Sequence, residues 1–215
     1  MYNQHMNSVF KVVSVDNVTL QEYKDKAITD LNVWFNKKWV YNTPKIFIVD
    51  DRKTIDLLRE QETQDWVVGW SWGRTAIFIL NPVNISKESC HDGTTYNIEH
   101  LIKHELCHSF FQMTFGLSKF EWINEGVAVY VAGQLDKYSM PLEFNGFLDG
   151  KKVYQESGNA IKLLIDNFGK ETLLEFLKKQ SGIENIENLN VVFNSVFKAE
   201  LEYSFFNTLK NKSFN

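Results

Sequence analysis

The sequence is poor in the residues that cross-link a chain or interrupt regular structure. Of its 215 residues, only 2 are cysteine and only 3 are proline. Two cysteines cannot build a disulfide framework, so the fold must rest on a buried core. No Gly/Ser-rich or Pro-rich stretch suggests a linker, and no segment is repeated. A chain of this length without a linker is expected to form one compact domain, residues 1–215.

Long hydrophobic runs and blocks of positive charge are also missing. No stretch approaches the ~20 consecutive apolar residues of a transmembrane helix, and the first ten residues lack the basic start and apolar run of a signal peptide. The formal net charge is −4, with both signs mixed along the chain. Neither nucleic acid nor a membrane surface is therefore an expected partner, and the expected location is cytoplasmic.

Apolar and aromatic residues are plentiful, at 44% and 14% of the sequence. In the first part of the chain, strands are predicted over Val9–Val15, Lys45–Val49, Trp66–Trp70 and Thr75–Leu80, and helices over Leu20–Trp39 and Thr54–Glu60. From residue 97 onward, helices are predicted over Asn97–Phe115, Trp122–Gly133, Tyr154–Phe168, Glu171–Gln180 and most of the tail. This order predicts an α+β fold with a mixed β/α lobe over residues 1–116 and a helical lobe over residues 117–215.

The feature that carries chemistry is an HExxH motif, which runs from His104 to His108 inside a predicted helix. Residues four apart lie one turn apart on the same helix face, so both imidazoles can reach one zinc ion at ~2.0–2.1 Å. Glu105 is offset by one residue and can instead reach the water on the open metal position, where a general base is needed. In a chain with 5 histidines, chance produces this pattern in about 1 in 100 sequences or fewer. The motif therefore predicts a metal site.

A catalytic zinc ion usually takes three protein ligands and leaves a fourth position for water. Glu125 is the best candidate for the third ligand, because it lies on the next predicted helix after a turn at Gly116. Two antiparallel helices joined by a short connection bring their facing residues together. The alternative is a surface glutamate that favours the first turn of a helix.

Two residues near the motif suggest other ligand sets. Cys107 would point about 100° away from His108 on a helix, so we interpret it as a small buried apolar residue. His100 lies one turn before His104, but the outer pair of this histidine row is ~12 Å apart along the axis. We therefore expect His100 to be a solvated histidine.

The segments HELCH and WINEGVAVY together resemble the gluzincin metallopeptidases, in which a glutamate-bearing helix supplies the third ligand. The resemblance is closest to the small peptidase MA-like, or minigluzincin, members, relatives of the M1 aminopeptidase catalytic domain. It is specific over Asn97–Gly133 and weaker from Trp66 to the C-terminus. It implies a thermolysin-like catalytic domain and a zinc-dependent peptidase that activates water through Glu105.

The resemblance also implies a role for a tyrosine. The segment that begins with Tyr154 is similar to the one whose leading tyrosine steadies the tetrahedral intermediate in this group. Carried over, Tyr154 would donate its phenol proton to the developing oxyanion. Tyr130 and Tyr138 are the alternatives for this role.

A third implication concerns the substrate. In this group an edge strand before the active-site helix pairs with an extended peptide, and the corresponding segment here is Gly73–Leu80. The aminopeptidases carry at this point a glutamate that binds the amino terminus of the substrate. The segment WSWGRTAIFIL has none, which leaves an endopeptidase or another hydrolase open.

Two other functions compete with hydrolysis. One is a metal-binding interaction module of the same fold without proteolytic activity, although such a module has no need for the general base Glu105. The other is a structural zinc site, although structural sites usually have four ligands, often thiolates. Chelation separates the two classes of metal site, because removal of a structural zinc unfolds the domain.

Overall fold

One small sheet lies in the first half of the chain. The computed structural model of the protein describes residues 13–14 and 18–213. Its strands are β1 (Val13–Ser14), β2 (Lys45–Val49), β3 (Gly69–Trp72) and β4 (Ala76–Leu80). The strand order is β1-β2-β4-β3, with β2 and β4 parallel and the other two pairs antiparallel. Of the predicted strand Val9–Val15, only Val13 and Ser14 fall within the described residues.

Helices make up most of the described structure, so the α+β class is confirmed. They are α1 (Val18–Trp34), α2 (Arg52–Leu58), α3 (Ile85–Glu88), α4 (Ile98–Phe115), α5 (Glu121–Val131), α6 (Val153–Phe168), α7 (Lys170–Lys179), α8 (Ile186–Phe197) and α9 (Tyr203–Ser213). None of those between residues 18 and 213 combines the length and the apolarity needed to cross a membrane.

The contacts within the chain divide it into two compact units. The first contains the described residues up to 32 together with residues 38–109, and the second contains residues 33–37 and the described residues from 110 onward. The boundary falls inside α4, after Ser109. The arrangement into a single catalytic domain with lobes that meet at residue 116 stays a prediction.

The core of the first unit is built around β4, all five residues of which are buried. On one face of the sheet, Phe78 stacks between Phe47 and Trp70, with ring centroids 5.1 and 4.7 Å away. Helix α4 is joined to the β3–β4 turn by a hydrogen bond in which Ser109 Oγ donates to the carbonyl of Gly73, at 2.9 Å.

The prediction that Gly73–Leu80 is an edge strand was wrong. Strand β4 pairs with β2 on one side and with β3 on the other, so the edge of the described sheet beside it is β3. The physical reason can be read from the sequence. An uninterrupted apolar run such as Ala76–Leu80 is typical of a strand buried on both faces, whereas the GWSW segment of β3 contains glycine and serine.

Helix α1 ends at Trp34, five residues before the predicted end at Trp39. The side chain of Asn32 accepts a hydrogen bond from the backbone N–H of Trp39, at 2.6 Å, and donates one to its carbonyl, at 3.0 Å. Asn36 adopts a positive φ of 54° between them. These interactions turn the chain back against the helix, an effect that apolar spacing does not reveal.

The second unit is built on close contact between α5 and α6. A methyl group at Gly126 would lie 2.8 Å from the carbonyl oxygen of Ser157, and one at Gly158 would lie 2.5 Å from Val129 Cγ1. The predicted tail helix is two helices, α8 and α9, because Lys198 ends α8 with a φ of 56°. Aromatic rings fill the remaining core; the buried ones include Trp122, Phe144, Phe147, Phe176, Phe193, Phe197 and Phe206.

Candidate metal centre

Helix α4 presents the two histidines of the HExxH motif side by side. The ring centroids of His104 and His108 are 4.8 Å apart, with an angle of 82° between the ring planes. His104 is buried and His108 is half-buried. The predicted helix was correct to within one residue, and it ends before Gly116, whose φ is +84°. The spacing of four residues therefore places both imidazoles on one face, as expected.

Glu105 is buried, with 6% of its surface exposed. Its carboxylate lies beside the backbone of β3, since a methyl group at Gly69 would be 3.2 Å from Oε1. The predicted general base is therefore held at the edge strand of the sheet, one residue from the first histidine. The carboxylate of Glu105 is therefore shielded from bulk water, and it lies next to β3, which is an edge strand of the described sheet.

Glu125 lies in the second turn of α5 and is half-buried. Its negative charge acts on two neighbours. Burial, and then the charge of Glu125, raises the pKa of Glu121, one turn earlier on the same helix. The same two causes, in the same order, raise the pKa of Tyr138. A cation bound at Glu125 would remove the second cause from both residues.

The structure brings His104, His108 and Glu125 together. Each offers one ligand atom, and these atoms all lie within 4.8 Å of one another. Ligands that each lie ~2.1 Å from one zinc ion are at most about 4.2 Å apart. The spread of up to 4.8 Å is wider than this, so a bound ion would draw the three side chains closer together; the group could hold a metal ion. Neither His100 nor Cys107 belongs to it, and Cys107 is buried as predicted.

The donor set indicates what such an ion would do. Two imidazoles and one carboxylate are a ligand set of catalytic zinc, which keeps a position open for water. Structural sites are usually closed by a fourth protein ligand. Among the residues described, the group contains three members and no thiolate. These three residues could therefore hold a metal ion, and their donor atoms match one of the ligand sets that zinc takes at catalytic sites.

Tyr154 is the second residue of α6 and is half-buried. The start of this helix is held by two polar side chains that sequence reasoning missed. The buried carboxylate of Glu156 accepts hydrogen bonds from the backbone N–H groups of residues 145–147, at 3.1, 3.0 and 3.3 Å. Asn159 Nδ2 donates to the carbonyl of Tyr138, at 3.0 Å. In the sequence, Glu156 is only a glutamate in the first turn of a helix, a position that usually means solvent exposure.

These bonds tie the loop before α6 to its first two turns, and so they restrain the backbone near both Tyr138 and Tyr154. Tyr130, the remaining alternative, has a different electrostatic environment. Burial and then the charge of Asp166 raise its pKa, while Lys162 lowers it. The role of Tyr154 in stabilising an oxyanion stays a prediction.

Comparison with known proteins gives no further indication of function: no protein-family model, no curated protein and no solved structure matches the chain.

Proposed function

We propose that the protein is a zinc-dependent peptidase of the gluzincin type. The observation that carries the proposal is the approach of His104, His108 and Glu125 to within 4.8 Å of one another, with the buried Glu105 next to the first histidine. A metal-binding group alone occurs in many proteins. A metal-binding group with a buried carboxylate at the HExxH position supports hydrolysis, because that carboxylate has a chemical task.

In this proposal His104, His108 and Glu125 hold the ion, and the chain's other residues move protons and orient the substrate. When bound, zinc supplies acidity to a water molecule and polarises the substrate carbonyl. Glu105 accepts the proton of the attacking water and later passes it to the leaving amine. Burial beside β3 restricts the rotamers of this carboxylate, which keeps it oriented for both transfers.

Tyr154 is the proposed oxyanion donor. Its phenol would donate a hydrogen bond to the oxygen on which negative charge develops. The hydrogen bonds of Glu156 and Asn159 support this role, because they restrain the first turns of α6 and reduce the reorganisation needed when the charge forms. Tyr130 and Tyr138 are the alternative donors.

The substrate is proposed to be a peptide in extended conformation along β3. The backbone N–H of Leu80 donates to the carbonyl of Val68, at 2.8 Å, so the peptide groups of residue 68 face β4. Because these groups alternate in direction along an antiparallel strand, those of Gly69 and Ser71 point to the outer side of the described sheet, where we propose that a substrate strand pairs with them. The aminopeptidase glutamate is missing from this strand, so we propose internal cleavage.

The test is to incubate the zinc-loaded protein with a diverse peptide library and to identify the products by mass spectrometry, with Glu105→Gln in parallel. Cleavage by the wild type alone is expected, and the cut positions separate internal from terminal cleavage. If neither protein cleaves any peptide although both contain zinc, the peptidase proposal fails. A metal-binding interaction module is then the better description.

A further inference from the structure

We infer that Gly69 is a positioning residue for Glu105: the missing side chain lets β3 approach α4 closely enough to hold the carboxylate in place. The inference rests on the proposed function, in which Glu105 is the general base. It adds a residue well before the HExxH motif in the chain, on the strand proposed to bind substrate.

The evidence is the crowding around Gly69. A methyl group there would lie 3.0 Å from Leu101 Cδ1, 3.2 Å from Glu105 Oε1 and 3.3 Å from the carbonyl oxygen of Phe78. Leu101 and Glu105 are four residues apart, on the same face of α4. The Gly69 position is therefore enclosed by the active-site helix on one side and by β4 on the other, and a Cβ atom fits there only if a neighbour moves.

Backbone conformation does not explain a glycine at this position. Gly69 is absent from the glycines with positive φ, so its backbone is open to any residue. Gly69 is the first residue of β3, where glycine still has no side chain to pack and loses more conformational freedom on folding than other residues. The compensating benefit is the close approach of the backbone to a neighbouring group. Here one of the neighbouring groups is the carboxylate of the proposed base.

Two further features are consistent with a close fit between β3 and α4. The neighbouring residue on the same face of β3 is the small Ser71, which pairs with Ile77 as Gly69 pairs with Ile79. The turn after β3 is tied to α4 by the hydrogen bond from Ser109 Oγ to the following glycine carbonyl. Because the turn is already anchored, a Cβ at position 69 is expected to displace the side chains of α4 that it meets.

The consequence for catalysis follows from geometry. The outward peptide groups of Gly69 are proposed to pair with substrate, and its Cα lies against Glu105. One residue thus sets the distance between the bound peptide and the base. Contacts of this length require the neighbouring atoms to move by a few tenths of an ångström. Since a misplacement of ~1 Å at a catalytic group lowers the rate about 100-fold, the expected loss of rate is about 4- to 10-fold.

The experiment compares zinc-loaded wild type, Gly69→Ala, Leu101→Val and the double variant Gly69→Ala/Leu101→Val. Each is assayed for zinc content, kcat and KM on a peptide that the wild type cleaves, and a crystal structure locates the Glu105 carboxylate. Gly69→Ala is expected to keep one zinc ion per chain, to lower kcat by about 4- to 10-fold and to show a displaced carboxylate. Leu101→Val alone is expected to keep kcat within about 2-fold of wild type.

The double variant is decisive, because valine lacks the Cδ1 atom that crowds position 69 most. If the space at Gly69 serves Glu105, kcat stays low, since the added methyl group still meets the carboxylate. Recovery of wild-type kcat would show that the space serves Leu101 alone and would overturn the inference. The double variant also removes the contact with Leu101 Cδ1, the closest one at 3.0 Å. It therefore provides a measurement even if Gly69→Ala alone folds poorly.

Gly93→Ala is the matched control. It introduces a similar contact in the same unit, 2.9 Å from Ser86 Oγ, and the three nearest atoms belong to Ser86 and Ile85, neither a metal ligand nor Glu105. It is expected to keep wild-type kcat, and an equal loss of kcat in this variant would assign the effect to general crowding. If the wild type cleaves no peptide, the proposed function fails separately. The structure of Gly69→Ala then still decides the inference, which is overturned by a Glu105 carboxylate that has not moved.

Discussion

Neighbouring side chains of the HExxH motif carry out different tasks in the proposed site. His104 and His108 approach Glu125 and form the metal-binding group with it. Glu105 follows the first histidine directly, so on a helix it points about 100° away from it. Its carboxylate is buried beside β3. An offset of one residue therefore separates the group that transfers protons from the groups that hold the ion.

Glu105→Gln is expected to keep its zinc and to lose turnover by a factor of about 10²–10⁴, the usual contribution of a general base. The amide preserves the size of the side chain but cannot accept the proton. The measurement is kcat together with zinc content for each protein. Unchanged turnover in a zinc-loaded variant would rule out Glu105 as the base.

The choice between the two tyrosines is also a question about single side chains. Tyr154→Phe is expected to lower kcat by about 10²–10³, the effect of removing one oxyanion donor, and to leave zinc content unchanged. Tyr138→Phe serves as the comparison, since the same hydroxyl group is removed from the alternative donor. A larger loss of kcat in Tyr138→Phe would transfer the role to that residue.

Single residues also show where sequence reasoning succeeds and where it fails. The HExxH spacing predicts the two histidines on one helix face, because helix geometry is local. Glu156 and Gly69 were missed, because their roles depend on partners in other segments: the loop residues 145–147 and the helix α4. The available signal for Gly69 was a glycine inside the predicted strand Trp66–Trp70, although the structure begins β3 at Gly69.

Among the secondary-structure elements, helices α4, α6 and α7 were predicted to within one residue at each end, whereas α3 was not predicted. The edge position assigned to Gly73–Leu80 was wrong. The apolar runs of β2 and β4 both indicate buried strands, and both exist as predicted. Both are inner strands of the described sheet. The uninterrupted apolar run of β4 is typical of such a strand, but its pairing partners come from separate segments, and the apolar spacing does not identify them. The resemblance to gluzincins placed the edge at Gly73–Leu80, whereas the structure places it at Gly69–Trp72.

The contact between α5 and α6 predicts a stability effect. Gly158→Ala is expected to destabilise the protein by about 1–3 kcal/mol, because the added methyl group would lie 2.5 Å from Val129 Cγ1. Helix propensity alone predicts the opposite sign, since alanine is favoured over glycine by about 1 kcal/mol. The measurement is the free energy of unfolding in urea. Gly158→Ala should lower the free energy of unfolding less in a Val129→Ala background than in the wild type, because the crowding Cγ1 atom is then absent. An equal loss in both backgrounds would contradict the steric explanation.

Helix α9 is tied to the turn at 147–149 through Tyr203, whose hydroxyl donates to Asp149 Oδ2, at 2.9 Å. Burial, and then the hydrogen bond to Asp149, raises the pKa of Tyr203 to about 12. The unfolded value is near 10, so the stabilisation is fully present below about pH 10 and is lost as the pH rises toward about 12. Between about pH 10 and about pH 12, the free energy of unfolding should fall less steeply with pH in Tyr203→Phe than in the wild type. Equal slopes in the two proteins would contradict this explanation.

At the scale of the whole molecule, the metal ion is expected to be required for turnover and not for folding. Each unit has its own buried apolar core, so removal of the ion should leave the fold intact. Treatment with a chelator is expected to abolish turnover while the circular dichroism spectrum and the unfolding transition persist. Unfolding on chelation would indicate a structural zinc site instead.

The dependence of turnover on the three-residue metal group is measured by titrating the metal-free protein with zinc and recording peptide cleavage after each addition. Turnover is expected to rise from zero to a plateau at one equivalent of zinc per chain, and Glu125→Ala is expected to show no such rise. Turnover that does not depend on zinc, or a Glu125→Ala titration that matches the wild type, would contradict the proposed site.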